Sequence, residues 1–187
     1  MYNTAFSWLM MAEGGEVNHA ADKGGHTKFG IADAADGKKD GLADLDRNGS
    51  GDVPIANLTR EQASQFYFDH YWLPSRCQQV SRLHAPLALA LFDTAVHSGP
   101  GRAIKLLQAA LGVAVDGSLG PKTLEAVADR ARINSGTPLL LAFLEQRSRF
   151  LLGIVASDPS QAVFASGWMN RLLRLQSFLL TYTGAWE

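Results

Sequence analysis

Apolar residues recur along this chain at helical spacing far more often than they alternate. Phe6, Leu9 and Met10, with small residues between them, give a short amphipathic helix that runs into Glu13-Gly14-Gly15, where two glycines end it. From Val17 to Ile31 the chain is Gly-rich and irregular, and a small β-hairpin is expected there. Residues 33–57 form a polar excursion rich in Asp and Gly. Thr59 opens the next helix, with Gln62 completing a capping box, and the pattern runs to about His70. Pro86 to His97 is apolar nearly all round, the mark of a buried central helix. Two shorter helices, Arg102–Leu111 and Lys122–Arg132, flank a turn from Gly112 to Gly120. Thr137-Pro138 and Asp158-Pro159 each place an N-cap residue before a proline, so two long helices start there. The last runs through Trp168 to about Leu180.

Composition sharpens this picture only in places. Of 187 residues, 47% are hydrophobic and 19% charged, which suffices for a packed core and argues against disorder. Seventeen basic residues against 18 acidic ones leave no nucleic-acid footprint. The acidity is local: residues 33–52 hold six Asp against Lys38, Lys39 and Arg47, while the remainder is mildly basic and suited to an anionic polymer. Cys77 is the single cysteine, so no internal disulfide forms, and it reads as a small buried hydrophobe. No stretch approaches the ~18 apolar residues of a membrane span. The first residues lack the basic segment and cleavage site of a signal peptide. The expectation is synthesis in the cytoplasm, with a pore-forming or secretion partner needed for any target outside the membrane.

Candidate chemistry gathers near the N-terminus. Glu13, at the end of an apolar helix, is placed for partial burial, which raises a carboxyl pKa toward that of a general acid. Asp22 follows nine positions later and Thr27 fourteen later. Glycosidic cleavage needs a protonated carboxyl for the leaving oxygen and a second group that stabilises positive charge or activates water. A helix end, a turn and a return strand bring Glu13, Asp22 and Thr27 to one cleft in this reading. His19 and His26 flank the same loop, but no third ligand at zinc spacing accompanies them. No cofactor is therefore expected for catalysis.

The run Glu13-Gly-Gly, Asn18-His-Ala-Ala-Asp22 and Gly-Gly-His26-Thr27-Lys-Phe-Gly-Ile31 resembles the opening motif of glycoside hydrolase family 108. Thr59-Arg-Glu-Gln, Tyr71-Trp72 and Phe92-Asp-Thr-Ala-Val-His-Ser-Gly-Pro100 resemble its later landmarks. The likeness spans nearly the whole chain apart from residues 33–57. It implies an N-acetylmuramidase of phage-endolysin type, a lysozyme whose catalytic acid is Glu13 and whose action is bacteriolysis. The Glu, Asp, Thr order is also similar to phage-type lysozymes, although the Asp-to-Thr interval is one residue shorter here. Glu16 stands where the family usually carries an aromatic residue.

Further residues take candidate roles at this site. His26 joins the loop of the motif, and Tyr71 and Trp72 offer rings for stacking on sugars or for packing a core. Asp93 lies in the most apolar helix with His97 one turn on, and reads as a site residue or a hydrogen-bond hub, since a lone buried carboxylate is costly. His26, Tyr71, Trp72 and Asp93 are the substrate-binding candidates.

Asp44, Asp46, Asn48, Ser50 and Asp52, with Gly49 at the sharp turn, match the first nine positions of an EF-hand loop. Ile55 stands where the bidentate Glu belongs. The expectation is a structural Ca2+ that orders the insertion and performs no chemistry.

Residues 103–127 carry Leu-Gln, Leu-Gly, Asp-Gly and Gly-Pro-x-Thr, a pattern similar to peptidoglycan-binding repeats. Two short helices packed inside one domain give the same pattern. Arg147, Arg149, Arg171 and Arg174 form a basic strip toward the wall polymer or a solvated face.

The expected fold is all-α and lysozyme-like, mainly helical with a small β-hairpin near the active site. Residues 1–97 form the catalytic region, including the 33–57 insertion, and 98–187 a helical peptidoglycan-binding-like region packed against it. The expected protein is a monomer that cleaves the β-1,4 bond between N-acetylmuramic acid and N-acetylglucosamine, binds peptidoglycan, and neither binds nucleic acid nor inserts into membranes. A lytic transglycosylase and a non-catalytic wall-binding or secretion-helper protein are the alternatives.

Overall fold

The computed structural model describes residues 1–13, 27–33, 38 and 40–182. The chain is mainly helical and lysozyme-like, with two small antiparallel hairpins among the described residues. It divides into two units, one comprising Met1–Ala5 and Tyr71–Glu187 and the other Phe6–His70. Helix α1 (Tyr2–Glu13) begins in the first and continues into the second.

The larger unit is built around α4 (Ala85–Ser98), in which every residue from Leu87 to Ala95 is buried. A helix with no polar face must be surrounded. Helices α3 (Cys77–Ser81), α5 (Pro100–Leu111), α7 (Thr137–Ser157) and α8 (Ala162–Thr181) all pack on it. His84 caps its N-terminus, where Nδ1 accepts from the Leu87 amide at 3.0 Å. Gly99, at φ 85°, ends α4 and leads into α5 with Pro100 at the first helical position. Tyr2, Trp72 and Phe92 meet edge to face in the same interior, with centroids 5.3 to 5.9 Å apart. Cys77 is fully buried here, and burial pushes its thiol well above the ordinary range.

Helices α5 and α6 (Pro121–Ala131) are joined by a loop that one side chain organises. Gln108, buried on α5, donates to Asp116 Oδ1 at 2.7 Å and to the Ser118 carbonyl at 3.0 Å. Its Oε1 accepts from the Gly117 amide at 2.8 Å. The Gln and the Asp-Gly of the repeat-like pattern are thus one hydrogen-bonded clasp.

The start of α7 differs from expectation. Thr137 is its first helical residue and Gly136 the cap, with no side-chain capping bond. Three successive residues, Asn134, Ser135 and Gly136, have positive φ and turn the chain without a hydroxyl cap. At the other junction Asp158 does accept from Ser160, at the head of the short 3-10 turn Pro159–Gln161 that precedes α8.

The smaller unit buries Phe6, Trp8, Leu9, Ile31, Ala43, Ile55, Leu58, Ala63, Phe66 and Tyr67. Its first hairpin pairs β1 (Thr27–Lys28) with β2 (Ile31–Ala32) through Phe29-Gly30, both at positive φ, as a two-residue turn requires. Its second pairs β3 (Leu42–Ala43) with β4 (Val53–Pro54) and carries the Asp-rich loop at its tip. In the sequence that segment shows only a polar excursion, because strands of two residues have no period. Helix α2 (Arg60–Tyr67) has the expected capping box: Thr59 Oγ1 accepts from the Gln62 amide, and Gln62 Oε1 accepts from the Thr59 amide. A π-helical turn, Phe68–Trp72, then follows in place of further α-helix.

Candidate active site and buried polar centre

Glu13 is the last residue of α1. Asp22 and His26, with the glycines around them, lie outside the described residues. Thr27 opens β1, half-buried and in register with Ala32. The hairpin that carries Thr27 is fixed from two sides of its own unit. Tyr67 Oη donates to the Phe29 carbonyl at 3.0 Å, and Lys28 Nζ donates to the Ala56 carbonyl at 2.7 Å. A left-handed φ of 55° at Phe29, unusual for an aromatic residue, is held by these bonds.

Tyr71 is half-buried. Trp72 and Asp93 are both at 0% exposure, and this corrects their reading as substrate contacts. Trp72 spends its ring on Tyr2 and Phe92, leaving no face for a sugar. Asp93 is the hub of the larger unit. Arg147 Nη1 on α7 donates to its Oδ2 at 2.7 Å, and Arg171 Nη2 on α8 donates to its Oδ1 at 2.8 Å. Burial alone would raise the Asp93 pKa, but the two guanidinium charges and their hydrogen bonds hold the carboxyl far below the usual range. His97, one turn on, is pushed down to about 4 by burial and by the charges of Arg147 and Arg171, which outweigh the attraction of Asp93.

The basic strip expected of Arg147, Arg149, Arg171 and Arg174 does not form. Arg147 is fully buried, Arg171 is 15% exposed at its side chain, and exposed Arg149 pairs with Glu145 at 2.7 Å. The signal for Arg147 was available: it stands in register with Leu140, Leu144 and Leu151, the buried stripe of α7.

In the acidic loop, one carboxylate oxygen from each of Asp44, Asp46 and Asp52 lies within 4.8 Å of the others. Backbone amides set them in place. Asp44 accepts from Asn48 at 3.1 Å and Gly49 at 2.8 Å, Asp46 from Asn48 at 3.1 Å, and Asp52 from Leu45 at 2.7 Å. Asn48 Oδ1 accepts from the Ser50 amide at 2.9 Å. Desolvation opposes the charge on Asp44, but the amides of Gly49, Asn48 and Arg47 outweigh it and lower its pKa. The loop is anchored on its own unit: His70 Nε2 meets the Leu45 carbonyl at 2.7 Å, and Arg47 lies over the Phe66 ring at 5.0 Å. These oxygens suit a hard cation. Ile55 is fully buried and supplies no ligand.

The family model for glycosyl hydrolase 108 matches residues 6–99, from the first turns of α1 through the end of α4. The chain belongs to that family. A second model, described as a predicted peptidoglycan domain, matches residues 102–173. Among solved structures, that of Brucella abortus SagA is 30% identical with a TM-score of 0.72, over 98% of this chain and 96% of that one. No curated protein matches. The family member described here is a glycoside hydrolase that acts on peptidoglycan, and so on the cell wall. No helix among the described residues is long and apolar enough to cross a membrane.

Proposed function

We propose that this chain is an N-acetylmuramidase that cleaves the β-1,4 bond between N-acetylmuramic acid and N-acetylglucosamine and so lyses the bacterial wall. The observation that carries the reading is the family match across residues 6–99, which includes Glu13, the last residue of α1, and Thr27 on the braced hairpin. Glu13 protonates the glycosidic oxygen, and Asp22 or Thr27 orients the attacking water. Residues 1–97 do the chemistry, and 98–187 add affinity for the wall. Mass spectrometry of muropeptides released from purified peptidoglycan tests the bond: reducing N-acetylmuramic ends are expected. Anhydro ends would make it a lytic transglycosylase, in which the substrate's own hydroxyl attacks.

The loop from Asp44 to Asp52 holds a structural calcium ion in this reading, ligated by Asp44, Asp46, Asn48, the Ser50 carbonyl and Asp52, with water completing the shell. The support is three carboxylates gathered within 4.8 Å at the spacing of an EF-hand loop. Melting with calcium and with chelator tests it, and identical midpoints would contradict it.

A further inference from the structure

Arg147 uses one edge of its guanidinium and leaves another bare. Its Nη1 donates to Asp93, while Nε and Nη2 are buried with no hydrogen-bond partner among the described residues. Those two N–H groups form the parallel fork that matches a carboxylate. An ionised donor pair left unmatched in an interior costs free energy, so a fully buried bare fork is poised to take an acceptor. His97 Nδ1 is likewise buried and unpartnered. His97 stands one turn on from Asp93 on α4, and the fields of Arg147 and Arg171 both act on it, so this third bare nitrogen belongs to the same cluster.

The cluster has a surface rim. Helix α8 carries Phe164, Trp168 and Arg171 at spacings of four and three, hence on one face. Phe164 is 53% exposed and stacks on half-buried Trp168 with centroids 6.0 Å apart. Trp168 in turn meets the His97 ring edge on, also at 6.0 Å. An exposed aromatic platform therefore leads to Arg171, whose Nη2 is bonded to the same carboxylate as Arg147.

We infer that Arg147, with His97 and the Phe164–Trp168 platform, forms a receptor for a carboxylate of the peptidoglycan stem peptide. The fork of Arg147 takes the two oxygens, His97 Nδ1 adds a bond in its donor tautomer, and the aromatic pair packs the peptide's apolar part. Entry requires the Trp168 and Arg171 side chains to swing aside. The inference rests on peptidoglycan being the substrate and deepens it. Phosphate would fit the fork as well, but the stem peptides of the wall polymer carry carboxylates.

The test is NMR of the full-length chain, following the Arg147 Nε–H and Trp168 indole N–H resonances. The probes are a synthetic stem tetrapeptide with free carboxylates, the same peptide fully amidated, acetate and inorganic phosphate. The expected result is a saturable shift of both resonances with the free peptide, at least ten times weaker with the amidated peptide and with either small ion. Arg147→Lys, which keeps the charge and removes the fork, is expected to weaken binding about tenfold, the value of one lost charged hydrogen bond. No shift at saturating peptide, or an exchange signal from bound water alone, would overturn the proposal, and the wild-type measurement decides this even if the variant fails to fold. Equal shifts with the amidated peptide or with a small ion would overturn the stem-carboxylate assignment. Release of reducing ends from glycan strands stripped of their stems reports on the hydrolase reading separately, so the two fail independently.

Discussion

Arg147 Nη1 donates to Asp93 Oδ2 at 2.7 Å, and both side chains are within 1% of complete burial. The pair joins α4 to α7, and Arg171 brings α8 to the same carboxylate. A buried ion pair adds modest net stability, but removing one partner leaves a buried charge unmatched. Asp93→Asn should therefore destabilise the fold by about 3–5 kcal/mol. Urea denaturation measures it, and a loss under 1 kcal/mol would mean that water replaces the carboxylate.

The same cluster sets a pH dependence. His97 titrates near 4 when folded, below the 6.5 of an ordinary histidine, so the unfolded chain binds the extra proton between those values. His84 is depressed too, by burial, and its Nδ1 must stay unprotonated to cap α4. Their contribution is complete above about pH 6.5 and is lost as pH falls toward 4. Below that the depressed Asp93 carboxyl extends the loss. Melting temperature should fall steadily from pH 7 to 4, and His97→Gln should flatten the slope. A flat profile in the wild type would contradict the assignment.

Gly136 has two reasons to be glycine. Its φ is 73°, and a Cβ there would run into the His84 ring. His84 Nε2 meets the Ser135 carbonyl at 2.9 Å, so the ring clamps the turn before α7 while capping α4. Gly136→Ala should cost about 1–3 kcal/mol through left-handed strain and a displaced cap. His84→Ala should relieve the clash, so the double variant should lose less than the two single losses added together, readable by a denaturation cycle.

Gln108→Leu should destabilise by about 1–3 kcal/mol, because the Gly117 amide and the Asp116 carboxylate lose their partner. Hydrogen exchange should rise at Gly117 and Ser118 and stay unchanged in α4. An effect spread evenly over the chain would contradict a local clasp.

Much of this fold is written in apolar periodicity and punctuation. The all-round apolar pattern of Pro86–His97 has one packed solution, and Gly99-Pro100 dictates both a stop and a start. The hairpins were harder to read, since two-residue strands are defined by partners such as Tyr67 and Ala56 that stand far along the chain. The polar centre was legible only in part. Asp93 demanded a partner, but its arginines are 54 and 78 positions downstream. Trp72 shows the reverse failure, since the residue that stacks on sugars is also the one that fills a core. Glu13 stands out in the sequence through its Glu-Gly-Gly motif, and its proposed role as the acid rests on that motif.

In the proposed reaction Glu13 is the general acid of a peptidoglycan glycosidase. Reducing ends released from purified peptidoglycan should appear with the wild-type chain and fall by at least a hundredfold with Glu13→Gln, the scale of lost general-acid catalysis, while the melting temperature is unchanged. Release undiminished in a folded Glu13→Gln protein would contradict the account.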